Sequence, residues 1–326
     1  MNKQNNDKSK IILGIILTVI IILCAIYVEI FNNDNNSENI TNNFYSNLNI
    51  DKSQLNIFYL NVGQADSILI TMGNETMLID AGNENDGYFI SQFLKAQKIE
   101  QIDYLIETHS DDDHSGGIKA ISQNFIISKV YMPKSAIVKS EIKDYVTINT
   151  FDNLEQTYNL DEATWRVLSV DNSEYVKSDE DNNTSIVIQL NYGNTKFLFM
   201  GDSEEKVEKN LLKADKLEEV EVLKVAHHGS NSSTSQAFLD KIKPKYSIIS
   251  VNHEKYKKNP DDRTISRLKS AESMVYRTDE KGTIWITSDG TKSNLRINFL
   301  DDVNVNGADK RIGKLESRRY SLIFLL

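Results

Sequence analysis

The chain has 326 residues, 40% hydrophobic and 26% charged, enough apolar material for one large core or two modest ones. A single cysteine, Cys24, excludes a disulfide framework and a thiolate metal cluster. At a net charge of −10 there is no long-range pull on nucleic acid, so a polyanion must be met by a local basic patch or by bound metal.

The first element is apolar. From Ile11 to Val28 only Thr18 interrupts the run, and no charge appears before Glu29. As a helix it would be about 27 Å long, close to the hydrocarbon thickness of a bilayer. It exceeds a usual signal-peptide core, and no A-x-A-like cleavage site follows. Lys3, Lys8 and Lys10 precede the run, and the next basic residue is Lys52. The positive-inside bias therefore predicts a cytoplasmic segment 1–10, a transmembrane anchor 11–31 and everything later outside the cell membrane. A cleaved signal peptide is the alternative, and it exports the chain equally. Residues 32–54, rich in Asn, Ser and Asp, read as a flexible linker.

From residue 55 the texture changes. Leu55–Val62, Ser67–Met72 and Thr76–Asp80 are short β-like runs separated by Gly or Asn turns. Gly87–Lys98 has helical spacing, with Phe89, Ile90, Phe93 and Leu94 on one face. Tyr104–Glu107 predicts a further strand. Later strands are predicted at Trp165–Val170, Ser185–Leu190, Lys196–Met200, Val220–Val225, Tyr246–Val251, Ile284–Thr287 and Leu295–Phe299. Helices are predicted at Glu204–Ala214, Ser235–Ile242 and Thr264–Ala271. Two β-rich halves, each with helices, point to two sheets packed face to face with helices outside, over residues 55–300. The tail, 301–326, has no assigned role.

Chemistry concentrates in THSDDDHSGG, Thr108–Gly117, where two histidines and three aspartates occupy five of the six positions His109–His114. Like charges a few ångströms apart oppose one another's ionisation. A divalent metal reverses that cost. If the run leaves a strand, side chains 109, 111 and 113 project to one side and a turn brings His114 round, with Gly116-Gly117 allowing a tight bend. A solvated acidic loop is the bland alternative, but a histidine pair rarely frames one.

Further ligands stand at other strand ends. MLIDAG places Asp80, FLFMGD places Asp202, and VLKVAHHGS places His227 and His228 before Gly229 and Ser230. Taken singly, an Asp at a strand end is usually a cap or turn former. Four such ends in one chain, holding four of its five histidines, favour a metal centre.

In the order LIDAG, HSDDDH, MGD and AHHGS the chain resembles the metallo-β-lactamase superfamily. More narrowly it is similar to the exported hydrolase domain of ComEC-type DNA-uptake channels and its free-standing relatives. That likeness rests on FYLNVGQADSILI (Phe58–Ile70), HSDDDHSGG, KVAHHGSNSSTS and VYRTDEKGTIWITSDG (Val275–Gly290), and covers roughly residues 55–299. The resemblance implies an α/β fold, a four-layer αββα sandwich with a two-metal hydrolytic site between the sheet edges. It implies that His109 and Asp111 bind one metal, that Asp113 and His114 bind the other, and that Asp202 bridges them. One of His227 and His228 completes the second site, and Asp80 orients a ligand. Asp111, where the superfamily at large has histidine, makes the pair as suited to manganese as to zinc.

The chain departs from the pattern twice. Asn259 stands where relatives have histidine before a proline, and where the superfamily has a ligand histidine the chain offers Asp181, Asn182 and Asn183, with Asn182 expected to bind substrate. Both departures predict that one of the two divalent ions is held weakly. Catalysis is expected to depend on Asp113, Asp80 and Asn259. Two metals about 3.5–4 Å apart lower the pKa of a shared water toward neutrality. Ser230, Ser232, Ser233 and Thr234 offer hydroxyls for phosphate oxygens, or merely cap the helix from Ser235. Lys255, Lys257, Lys258, Arg263, Arg267 and Lys269 form a basic cluster in an acidic chain. The expected substrate is thus a phosphodiester, DNA first. A teichoic-acid or phosphocholine ester is the alternative among enzymes, and a catalytically weak surface binding protein the alternative outside them.

Overall fold

Strand β1 (Leu55–Tyr59) is buried at every position. Successive side chains point to opposite faces, so both faces of its sheet must be covered. Leu55, Ile57 and Tyr59 enter a core shared with a second sheet. Phe58 points the other way, edge-on to Phe93 of helix α1 (Asp86–Ala96) with ring centroids 5.4 Å apart. This computed structural model describes residues 20, 22–25, 48, 50–154, 156–171 and 181–300. Most of the expected anchor, most of the linker and the tail lie outside the described residues. Among those described, no helix is long and apolar enough to cross a membrane. The fold is that of the unit Asn49–Val303.

The first sheet also contains β2 (Ile68–Met72), β3 (Glu75–Ile79), β4 (Gln101–Ile106), β5 (Ile126–Tyr131), β6 (Ile148–Asn149), β14 (Thr283–Ser288) and β15 (Arg296–Leu300). Its order is β15-β14-β1-β2-β3-β4-β5-β6, antiparallel up to β3 and parallel from β3 to β6. The second sheet contains β7 (Thr157–Leu160), β8 (Ala163–Ser169), β9 (Val187–Tyr192), β10 (Thr195–Phe199), β11 (Val222–Lys224), β12 (Tyr246–Ile249) and β13 (Met274–Arg277). Its order is β13-β12-β11-β10-β9-β8-β7, parallel from β10 to β13. Between the sheets lie Ile70, Ile79, Ile106, Trp165, Ile188 and Phe197, all buried. Outside the second sheet, Leu198, Leu223 and Val225 pack on α5 (Glu205–Lys213), α6 (Gln236–Ile242) and α7 (Asp262–Ser270) through Val207, Phe238 and Leu268. Each such side chain is worth about 1.5–3 kcal/mol of transfer free energy. The result is an αββα sandwich of two mixed sheets.

Predicted strand and helix limits differ from the observed ones by up to three residues. Strands β5 to β7 and β13 lack a legible pattern. Only the last two residues of β5 are buried, and β13 is an edge strand without a fully buried position. The short helices α2 (Asp112–Ser115), α3 (Ile118–Asn124), α4 (Lys134–Lys139) and α8 (Thr278–Lys281) lie in the connections between strands.

Candidate metal centre

Parallel neighbours end at the same sheet edge, and this topology delivers the site. Asp80 follows β3 and His109 follows β4 in the first sheet. Asp202 follows β10 and the His227-His228 pair follows β11 in the second. The two edges are joined where the Ile186 N–H donates to the Thr108 carbonyl at 3.0 Å.

The acidic run does not continue as a strand. Asp111 precedes helix α2 with extended backbone, φ −70 and ψ 145, and Asp113 and His114 lie on the helical turn. Alternation therefore stops at Asp111, and Asp113 faces across to the second sheet rather than beside His109. Gly116 and Gly117 have ordinary helical φ values, −59 and −81. They are small because other backbone lies close. A Cβ on Gly116 would come 2.4 Å from the Glu84 nitrogen, and one on Gly117 2.1 Å from the Ala81 oxygen.

His114 is held on both sides. Its Nδ1 lies 2.8 Å from Asp80 Oδ2. That carboxylate also accepts the Thr108 N–H at 2.7 Å and the Thr108 hydroxyl at 2.8 Å. The opposite ring nitrogen, Nε2, faces Asp202 Oδ1 at 3.3 Å. His109 lies alongside, ring centroids 4.2 Å apart, with its Nε2 3.6 Å from Asp111 Oδ2. His109 Nε2, His114 Nε2 and Asp202 Oδ1 are buried without a hydrogen-bond partner. The three residues bring ligand atoms within 4.8 Å of one another. Buried polar atoms left unpaired are costly, and a divalent cation would satisfy all three. The residues fit a metal.

A second set shares His114. Asp113, His114 and His228 also place ligand atoms within 4.8 Å. Asp113 Oδ2 is 3.1 Å from His228 Nε2, and the other nitrogen of that ring meets the Ser250 carbonyl at 2.9 Å. Asp202 spans the two sets, since its Oδ2 is 3.6 Å from His228 Nε2. Of the histidine pair, His228 is buried and turned into the cluster. His227 stays at the rim, 3.9 Å from Asp202 and 3.6 Å from Glu204. Both adopt left-handed backbone, φ +50 and +51, which turns adjacent side chains apart.

Electrostatics follow from this crowding. Burial raises the Asp202 carboxyl pKa, but the His114 and His228 imidazoles outweigh it and hold the group well below the carboxylate range. Burial depresses His114, yet Asp202 and Asp80 push it well above its ordinary value. His228 is raised against burial by Asp202 and Asp113. Asp113 is lowered, because the hydrogen bond to His228 and the charge of His114 overcome burial. Asp111 is lowered by the His109 imidazole beside it. The acids thus take positive charge from imidazolium, the same demand a dication meets.

Around this centre the expected substrate groups separate. Ser232 Oγ lies 3.4 Å from His227 Nδ1 and 3.1 Å from Ser230 Oγ, at the rim. Ser233 is buried and donates to the Ala226 carbonyl at 3.2 Å, so its hydroxyl faces its own loop. Asn182 sits in a turn tied to Asp202, since the Ser185 hydroxyl donates to the Asn182 carbonyl at 2.6 Å and accepts the Asp202 N–H at 3.1 Å. Asn259 lines an open cavity of about 600 Å³ with Ser230, Asn231, His253, Lys257 and Lys258. None of the cluster's carboxylates or ligand histidines lines it. Lys255 lies over the Tyr256 ring at 5.1 Å. Arg267 braces the loop instead, donating to the Thr234 and Ser233 carbonyls at 2.8 and 2.9 Å. Arg263 pairs with Asp261 at 2.9 Å.

Two residues escaped sequence reasoning. Asp66 and Lys224 form a buried ion pair at 2.6 Å. The available signal was a lysine closing the apolar strand VLK, opposite an aspartate within GQADS.

An αββα sandwich with a histidine–aspartate cluster at its sheet edges defines a class. The family model for the metallo-beta-lactamase superfamily matches residues 60–253, and the chain belongs to that superfamily. Within it the chain is distantly homologous to Competence protein ComA of Neisseria gonorrhoeae, 28% identical over 229 residues, covering 68% of this chain and 30% of that protein. It is 28% identical over 252 residues to ComE operon protein 3 of Bacillus subtilis (strain 168), covering 69% of this chain and 32% of that protein. It is 28% identical over 249 residues to Recombination protein 2 of Haemophilus influenzae, covering 74% and 29%. The chain spans about a third of the length of these curated relatives. Among solved structures, the metallo-β-lactamase fold protein YhfI from Bacillus subtilis aligns over 72% of this chain and 100% of its own, at 13% identity and a TM-score of 0.49.

Proposed function

We propose that this chain is a membrane-anchored phosphodiesterase that cleaves DNA outside the cell, using two divalent ions, zinc or manganese. The observation that carries the reading is the meeting of three buried, unpaired ligand atoms on His109, His114 and Asp202, with Asp113 and His228 beside them. A bound pair of divalent ions lowers the pKa of water and offsets charge developing on a phosphoryl oxygen.

The chain's own residues supply the rest. Asp80 fixes the His114 ring so that Nε2 faces inward, and the Ser250 carbonyl does the same for His228. Asp202, reaching both imidazoles, sets the spacing of the two sets. Ser232, beside His227, offers a hydroxyl to a phosphate oxygen. Lys257 and Lys258 line the cavity that begins at Ser230, two residues beyond His228. They would follow a polyanionic backbone away from the scissile bond. The likeness to Recombination protein 2 and to Competence protein ComA supports DNA over other phosphodiesters.

The test uses the full chain with manganese and, separately, zinc. Single-stranded DNA, a phosphocholine ester and a teichoic-acid fragment are offered as substrates. Cleavage of DNA that a chelator abolishes and metal restores is expected. Cleavage of only the phosphocholine or teichoic ester would move the substrate assignment, and metal binding without turnover would make the chain a surface binding protein.

A further inference from the structure

The Asp66–Lys224 pair takes no part in the reaction described above. Asp66 lies between β1 and β2, Lys224 closes β11, and their side chains are 1% and 0% exposed. Lys224 Nζ reaches Asp66 Oδ2 at 2.6 Å and donates to the Val225 carbonyl at 3.0 Å. The other carboxylate oxygen, Asp66 Oδ1, is buried without a hydrogen-bond partner. It lies 3.8 Å from His228 Nδ1. The backbone of Asp66 is tied to the same loops, its N–H donating to the Asp113 carbonyl at 3.1 Å and its carbonyl accepting the Gly82 N–H at 2.9 Å.

Asp66 is thereby a ligand in waiting. Asp66, Asp80 and His114 each place a ligand atom within 4.8 Å of the others, a third set that shares His114 with the two already described. A buried ion pair is seldom more stabilising than apolar side chains of the same volume, so stability gives little reason to keep this one. Its charge does. An ammonium at hydrogen-bond distance neutralises Asp66 and repels a further cation from that spot.

We propose that Lys224 is a fixed internal counterion that withholds Asp66 from the metal centre and confines cations to the ligand atoms of His109, Asp113, His114, Asp202 and His228. The inference rests on the metal-dependent reading of the site given above.

Metal counting tests it. The native full chain, Lys224→Met, Asp66→Asn and the double variant are dialysed against manganese or zinc. Equivalents per chain are measured by mass spectrometry, with near-ultraviolet circular dichroism as the check on folding. Lys224→Met should bind one equivalent more than the native chain, and the double variant should return to the native count. Asp66→Asn leaves the ammonium unneutralised beside the centre and should weaken metal binding by about tenfold or more. A folded Lys224→Met with the native count, or an extra equivalent that survives Asp66→Asn, would overturn the proposal. Should Lys224→Met fail to fold, Asp66→Asn decides alone, and an unchanged Kd rejects it. A native chain that binds no metal removes the functional reading along with this one. A native chain that binds metal while every variant behaves identically removes only this one.

Discussion

Asp80 grips His114 from the side away from the cluster: Oδ2 lies 2.8 Å from Nδ1, and the ring presents Nε2 to Asp202 at 3.3 Å. Asp80 has left-handed backbone, φ +59, which asparagine also tolerates. Asp80→Asn therefore removes charge and one acceptor while keeping the turn. Metal affinity should fall about 10- to 100-fold, as measured by chelator competition. Unchanged affinity would mean that His114 needs no such partner.

The histidines make stability depend on pH in opposite directions with and without metal. His114 and His228 have raised values in the folded chain, where Asp202 and its neighbouring acids overcome burial. A raised folded-state value stabilises fully below the unfolded one, about 6.5, and that stability is lost as pH rises through the folded value. The metal-free chain should thus melt lower as pH climbs above about 6.5. Metal ligands must shed those protons, so metal-derived stabilisation should grow over the same interval. Calorimetric melting of both forms from below about pH 6.5 upward checks this. Parallel curves would contradict it.

Much of this centre was legible in the sequence because strand ends are. Asp80, His109, Asp202 and His228 each follow an apolar run, and parallel pairing of β3 with β4 and of β10 with β11 brings the ends within each sheet to one edge. The strand-like alternation expected through Asp113 failed, because Asp111 opens a helical turn that no residue type in DDDH demands. The Gly116-Gly117 pair was legible as small but not as to why. Its neighbours, Ala81 to Glu84, are distant in sequence. Asp66 and Lys224 were missed for the same reason, since only the fold sets opposite charges 158 positions apart within 2.6 Å, from 66 to 224. Of the basic residues, charge alone could not separate Arg267, spent on the Ser233 and Thr234 carbonyls, from Lys257 and Lys258, which line the cavity.

That separation predicts different phenotypes. Replacing Lys257 and Lys258 together by alanine should raise KM for DNA and flatten its salt dependence, with kcat retained. Asn259, on the same wall, should behave likewise: Asn259→Ala raises KM severalfold, on the order of one hydrogen bond. Asn259→His should raise turnover at limiting metal if the loop reaches the centre during catalysis. Kinetics at several salt and metal concentrations read all three. If KM and metal dependence are unmoved throughout, the cavity plays no part with substrate.

Topology is tested on cells. The apolar run Ile11–Val28 and the lysines before it predict that protease added to intact cells digests the hydrolase domain. Complete protection, with cytosolic markers also protected and the domain cleaved after lysis, would reverse the orientation.

The most direct test compares Asp113→Ala with Ser232→Ala on single-stranded DNA, metal content being measured on the same samples. Asp113 faces His228 at 3.1 Å inside the cluster, whereas Ser232 lies at its rim. Asp113→Ala should lose metal and at least about a hundredfold in kcat/KM, corresponding to some 2.7 kcal/mol of transition-state stabilisation. Ser232→Ala should keep its metal and most of its turnover. Equal activity of the two variants, at equal metal content, would contradict the assignment of this cluster as the catalytic centre.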